Sequence, residues 1–293
     1  MRQGSFRSFL VNKAGGLSYF VILGGTMHIR DYYYNLKSEH MIKTCPQRII
    51  SLVPSVTETL FFLGLGERIV GRTDFCVHPE GQVDSIKSVG GPKNVDYSAI
   101  DSLNPDLVIA DKEENTKKIV EELSSRYPLY LSVVESYDDA LRTIKDIGII
   151  TDTKDKAEEI TNNIKRKFEG LNTYNSLKSA YLIWKNPYMA AGKRTFISSV
   201  LEKLGFVNPF TEFESRYPVI ELEDIKRLNI DVIFLASEPF PFGEEHKIEL
   251  EELKVAKRVL LVDGEMFCWP GSHMLKAPDY FRLLQSKIGE IIV

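Results

Sequence analysis

One stretch of this chain occurs twice. From Val95 it reads VDYSAIDSLNPDLVIA and from Ile220 it reads IELEDIKRLNIDVIFLA, so Ile100, Leu103, Asn104 and Asp106 are matched by Ile225, Leu228, Asn229 and Asp231. Each copy reads as a short helix feeding a buried strand. In the first, Ile100 and Leu103 share a helical face, Asn-Pro ends the helix, and Leu107 to Ala110 is an unbroken apolar run. Such a run suits a parallel strand covered on both faces. Upstream of each copy another strand leads into a helix, RIISLVPSVTETLFFLGLG before the first and AYLIWKNPYMAAGKRTFISSVLEKLGF before the second. Two copies of strand, helix, helix, strand predict an α/β protein of two similar lobes with parallel sheets. The length of 293 residues exceeds the usual single core and suits two domains.

Several function classes fall away on composition and motif. A net charge of -4, with no concentrated basic stretch, argues against a nucleic-acid partner. Cys45, Cys76 and Cys268 form an odd set without a CxxC pair, so no disulfide framework is expected. The run GLGERIVG has glycines that end a helix where a dinucleotide fingerprint needs them to open one. No P-loop, GxSxG or HExxH occurs, and Glu244, Glu245, Glu251 and Glu252 read as solvated helix faces, so no enzyme is expected.

Four segments are expected along the chain. Residues 1 to 26 carry Arg2, Arg7 and Lys13 ahead of the apolar stretch Leu17 to Leu23, without an A-x-A site; they read as a leader or as a spurious extension. This leaves periplasm, cell envelope and cytoplasm all open. Residues 27 to 136 form the first lobe, with a hairpin over 28 to 44 and a Ser55–Glu58 capping box at the start of its first helix. Residues 137 to 175 are a helical bridge without Gly/Ser-rich or Pro-rich character, which predicts a stiff joint. Residues 176 to 293 form the second lobe. No apolar run approaches the ~18 residues of a membrane helix.

The segments RIISLVPSVTETLFFLGLGERIVG, VGGPKNVDYSAIDSLNPDLVIA, WKNPYMAAGKRTFI, RYPVIELEDI and DGEMFCWPGS occur in order. Together they resemble the helical-backbone (class III) substrate-binding proteins of ABC importers, the class that includes vitamin B12 and iron-siderophore receptors. That resemblance covers about residue 28 to the end. It implies two α/β lobes joined by one long helix, with ligand in an interlobe cleft and no required cofactor. Bound cobalamin, an iron chelate or a metal would be present as ligand, and an ABC permease would be the partner of a monomeric protein. By the same resemblance Asn186 to Lys193, Tyr217 and Trp269 line the cleft. Glu223 fits one permease-docking position, whereas Lys87 stands where the other would be acidic; a like charge there opposes docking and leaves a soluble non-transport paralogue as an alternative.

Loops after the buried strands hold the candidate ligand residues. In the first lobe these are Phe75, His78 and Tyr97; in the second they are Trp184, Tyr188, Lys193, Arg216, Tyr217, Phe267 and Trp269. A wide, flat corrinoid or porphyrin-like ligand needs aromatic faces and a few polar anchors, which this set supplies. A second reading takes Cys76, His78, Cys268 and His273 as a site for zinc or another soft metal, or one histidine as an axial ligand of a bound macrocycle.

Overall fold

A computed structural model describes residues 19–23, 26–31, 36–37, 44–171, 173–174 and 176–289. The chain divides into two compact units, Met1–Val133 with Arg142–Glu159, and Val134–Leu141 with Ile160–Val293. Among the described residues no helix is long and apolar enough to cross a membrane.

In the first unit three short antiparallel strands come first: β1 (Tyr19–Leu23), β2 (Thr26–Asp31) and β3 (Leu36–Lys37). The β2–β3 pair falls where the hairpin is expected, and β1 lies within the stretch read as a leader or extension. The rest of that leader, and residues 32–35 and 38–43, lie outside the described residues. The main sheet then uses β4 (Ile49–Ser51), β5 (Ile69–Arg72), β6 (Lys87–Ser88), β9 (Leu107–Asp111) and β10 (Leu129–Ser132), with β7 (Gly90–Gly91) and β8 (Asn94–Val95) forming a separate small hairpin. Its order is β10-β9-β4-β5-β6, and every pairing is parallel. Central strands β4 and β9 are buried at every residue, which is why their sequences are nearly continuous in apolar side chains.

Helix α1 (Pro54–Phe62) does not start as the sequence suggests. Val53 is the N-cap and no side chain caps the helix, so the Ser55–Glu58 box is absent. Pro54 explains this: its fixed φ sets the first turn and it brings no N–H that needs an acceptor. Ser55 and Glu58 are instead buried. Helices α2 (Tyr97–Leu103) and α3 (Lys117–Ser124) complete the unit and close its core around Ile50, Val108, Ile100, Ile119 and Leu123.

The second unit repeats the plan. Strands β11 (Ser179–Trp184), β12 (Met189–Ala190), β13 (Val232–Ala236) and β14 (Arg258–Val262) are ordered β12-β11-β13-β14, parallel except for β12. Around them lie α6 (Phe196–Lys203), α7 (Leu222–Arg227), α8 (Glu244–Glu252), α9 (Glu265–Cys268) and α10 (Ala277–Gly289). One face of this sheet is packed largely with aromatic rings. Phe267 lies 5.1 Å from Tyr181, 5.8 Å from Phe234 and 4.8 Å from Phe281, ring centre to ring centre.

The duplicated sequence builds a duplicated joint. Asn104 and Asn229 both adopt the left-handed conformation that ends a helix, at φ 43° and 53°. Two residues on, Asp106 accepts from the Arg48 backbone N–H at 2.8 Å, and Asp231 accepts from that of Lys178 at 2.8 Å. In return, Arg48 Nη2 donates to Leu103 O at 2.7 Å and Lys178 Nζ donates to Leu228 O at 3.1 Å. Each cation therefore satisfies a carbonyl at a helix end while its aspartate pins the entry of the first strand.

Between the main parts of the units, the segment from 137 to 171 corrects one expectation. It forms two helices, α4 (Tyr137–Ile150) and α5 (Lys154–Glu169), where a single long one is expected. Thr151 turns its hydroxyl back to Ile147 O, Asp152 takes φ 59°, and the Thr153 N–H donates to Gly148 O at 2.7 Å, which ends α4 and starts α5. Gly148 allows the close turn, since a Cβ there would lie 2.4 Å from the Ala157 Cβ.

On α4, Asp146 accepts from the Tyr130 hydroxyl at 3.1 Å. Burial pushes its carboxyl up to about 6 against that hydrogen bond and the Arg142 charge. A folded-state pKa above the ordinary value of 3.8 means the native state binds the extra proton, so stability falls as pH rises from about 4 to about 6. We expect Asp146→Asn to be more stable than the parent above pH 6, by on the order of 2 kcal/mol, and equal to it near pH 4. Urea unfolding at the two pH values checks this; an unchanged difference would show that Asp146 does not titrate in this range.

Candidate functional site

The first unit presents the loop 73–79 after β5. Here Phe75 is 62% exposed and its ring lies close over Gly91 in the β7–β8 hairpin, while His78 precedes a cis proline and is partly exposed. Cys76 points the other way. It is fully buried, with Thr57 donating to its sulfur at 3.1 Å and Thr73 3.2 Å away. Burial pushes its thiol above the ordinary value, the opposite of what a metal ligand requires. Cys76 is thus an anchor that fixes the loop carrying Phe75, and its reading as a ligand is corrected. Tyr97, partly exposed, opens α2 and rests against the unit's core.

Two groups of loops gather at the carboxyl ends of the strands in the second unit. The first begins after β11, where Trp184 is 42% exposed and rests edge-on against Phe240 at 5.7 Å. Beyond β12, Gly192 donates its N–H to Arg216 O at 2.7 Å, and a Cβ there would come within 2.9 Å of Ser215 O and Pro218. This contact, possible only for glycine, ties the loop of Lys193 and Arg194 to that of Arg216 and Tyr217. Lys193 pairs with exposed Glu214 at 3.0 Å, a weak surface interaction, and Arg216 lies 3.9 Å from Glu135. Tyr188 does not join this group; it packs on the core and its hydroxyl lies 3.5 Å from Glu249.

The second group joins the loop after β13 to the loop after β14. Gly264 donates its N–H to Ser237 Oγ at 2.9 Å, and Glu238 crosses so closely that a Cβ on Gly264 would lie 2.6 Å from its Cγ. Glu238 Oε1 accepts from both Trp269 Nε1, at 2.9 Å, and Cys268 Sγ, at 3.0 Å. The Trp269 ring, partly exposed, lies 5.5 Å from that of His273, which is buried and 3.8 Å from Glu265. Phe267 is 0% exposed and belongs to the aromatic core, so its reading as a ligand residue is corrected. Ser237, Glu238 and Gly264, which no sequence motif marks, are what joins these two loops.

Among the described residues no group of three or more His, Cys, Asp or Glu could hold a metal ion. Cys268 is engaged by Glu238 and Cys76 by two threonines. Glu223, in the first turn of α7, and Lys87, on β6, are both exposed.

Each of the two α/β units ends its parallel strands in loops that present aromatic and polar side chains, an arrangement suited to holding a ligand. The periplasmic binding protein family model matches residues 49–259. This chain belongs to that family. A vitamin B12-binding protein of Vibrio parahaemolyticus serotype O3:K6 is 24% identical over 193 residues, covering 64% of this chain and 70% of that protein. An uncharacterized ABC transporter substrate-binding lipoprotein, YvrC, of Bacillus subtilis is 25% identical over 252 residues, 81% of this chain and 79% of its own. Among solved structures, the periplasmic heme-binding protein HutB of Vibrio cholerae superposes with a TM-score of 0.70 at 18% identity, over 82% of this chain and 98% of that one. The fold is therefore shared with HutB.

Proposed function

We propose that this chain captures a metal-bearing macrocycle or iron chelate, of the cobalamin or haem type, for delivery to an ABC permease. The observation that carries the reading is the pair of tryptophans at the strand ends of the second unit, Trp184 exposed over Phe240 and Trp269 held by its indole N–H. Each offers a ring to a flat ligand without first giving up a disordered side chain, which lowers the entropic cost of binding. Phe75 supplies a third exposed ring in the first unit. Lys193, Arg194, Arg216 and Tyr217 add polar anchors. The relatives named for vitamin B12 and haem support the ligand class, and exposed Glu223 is suited to meet a basic permease surface.

Titration of the purified chain with cyanocobalamin, haemin and a ferric siderophore, followed by tryptophan fluorescence, tests this. Saturable quenching by one of them is expected. Failure of all three to quench or to be retained in equilibrium dialysis would sink the proposal.

A further inference from the structure

We infer that Glu238 is a specificity-determining residue, which makes the second unit favour a ligand edge rich in N–H donors over one bearing carboxylates. The inference rests on the ligand class proposed above. Its basis is the direction of the hydrogen bonds. Trp269 and Cys268 both turn their donors inward to the same oxygen, Glu238 Oε1. What remains for a ligand is the face of the indole and the second carboxylate oxygen, Oε2, which has no partner among the described residues. The wall is thus an acceptor beside a stacking surface.

Its surroundings do not reverse that sign. Neither the loop 237–243 nor the stretch 263–275 contains a lysine or arginine, whereas both contain carboxylates: Glu238 in the first, Asp263 and Glu265 in the second. Lys276 follows directly after the second stretch, and the cations Lys185, Lys193, Arg194 and Arg216 of this unit's other loops are on other segments. A carboxylate brought against Glu238 meets like charge in a partly desolvated place, and an amide N–H brought there makes a charge-assisted hydrogen bond. The periphery of a corrinoid carries neutral carboxamides, while that of haem carries two propionates and no N–H donor. The geometry around Gly264, which lets Glu238 cross to Trp269, holds the acceptor in register with the ring.

Glu238→Gln separates this role from a merely positional one. Its amide oxygen still accepts from Trp269, so the near-UV circular dichroism of the full chain is expected to stay as in the parent, but its charge is gone and an N–H donor has replaced one acceptor. We expect affinity for cyanocobalamin to fall by about tenfold or more while affinity for haemin is unchanged or improved. Glu238→Asp, which keeps the charge, is expected to retain the preference for cyanocobalamin. Equal loss for both ligands, no loss for either, or a parent that prefers haemin would overturn the assignment while leaving the binding function standing. A parent that binds neither would overturn the proposed function and this inference with it.

Discussion

Replacing Trp269 with alanine is expected to weaken capture of a macrocyclic metal chelate by roughly thirtyfold or more, with little change in the melting temperature. A buried aromatic anchor at the centre of a binding surface contributes about 2 kcal/mol or more when truncated, and the tryptophan pair is the part of this site that offers the largest contact. The effect on the fold should be small because Trp269 is partly exposed and stands outside the sheet's core. Its indole N–H donates to Glu238, which can return to water when the indole is lost. Fluorescence or calorimetric titration of the variant against the ligand that the parent binds reads the change directly. An affinity within twofold of the parent would remove Trp269 from the site.

Phe267→Ala should behave in the opposite way, two residues earlier in the chain. Its ring is fully buried among Tyr181, Phe234 and Phe281, so truncation opens a cavity that a sheet face and two helices cannot readily close. Phenylalanine-to-alanine changes at such positions destabilise by about 3–5 kcal/mol. For a unit of this size that lowers the midpoint of thermal unfolding by roughly 10 °C or more. Because the chain has two units, the transition to follow is that of the second unit, and a single midpoint need not describe the whole chain. Ligand affinity measured well below the transition should be close to that of the parent. Should the melting curve stay in place while binding collapses, Phe267 would belong to the site after all.

The contrast between these neighbours shows which kinds of information the sequence carried. The two α/β units were legible because their signals are local: apolar runs for β9 and β13, and a repeated Ile, Leu, Asn and Asp that recur in register. The exposed rings Phe75, Trp184 and Trp269 were legible for a similar reason, since aromatic residues just past a buried strand have few other places to go. Phe267 meets the same criterion, and Cys76 stands next to Phe75 in the same loop. What sends them inward is packing against residues far away in sequence, Tyr181 and Phe281 for one and Thr57 for the other. Glu238 left no trace at all. Its partner Trp269 lies 31 positions away, and a glutamate between serine and proline follows no period. The Ser55–Glu58 pattern does not become a cap because Pro54 already occupies the first helical position, which moves the N-cap back to Val53.

The joint shared by the two units shows which of its parts are interchangeable. Its copies keep the asparagine and the aspartate but differ in the cation, Arg48 in one and Lys178 in the other, and the carbonyl is reached in both. What that position requires is reach and a donor, not one side-chain shape. Asparagine had less freedom, as few other residues accept the left-handed turn. The sameness of the two units is therefore plainest at their helix ends, away from the loops that differ between them.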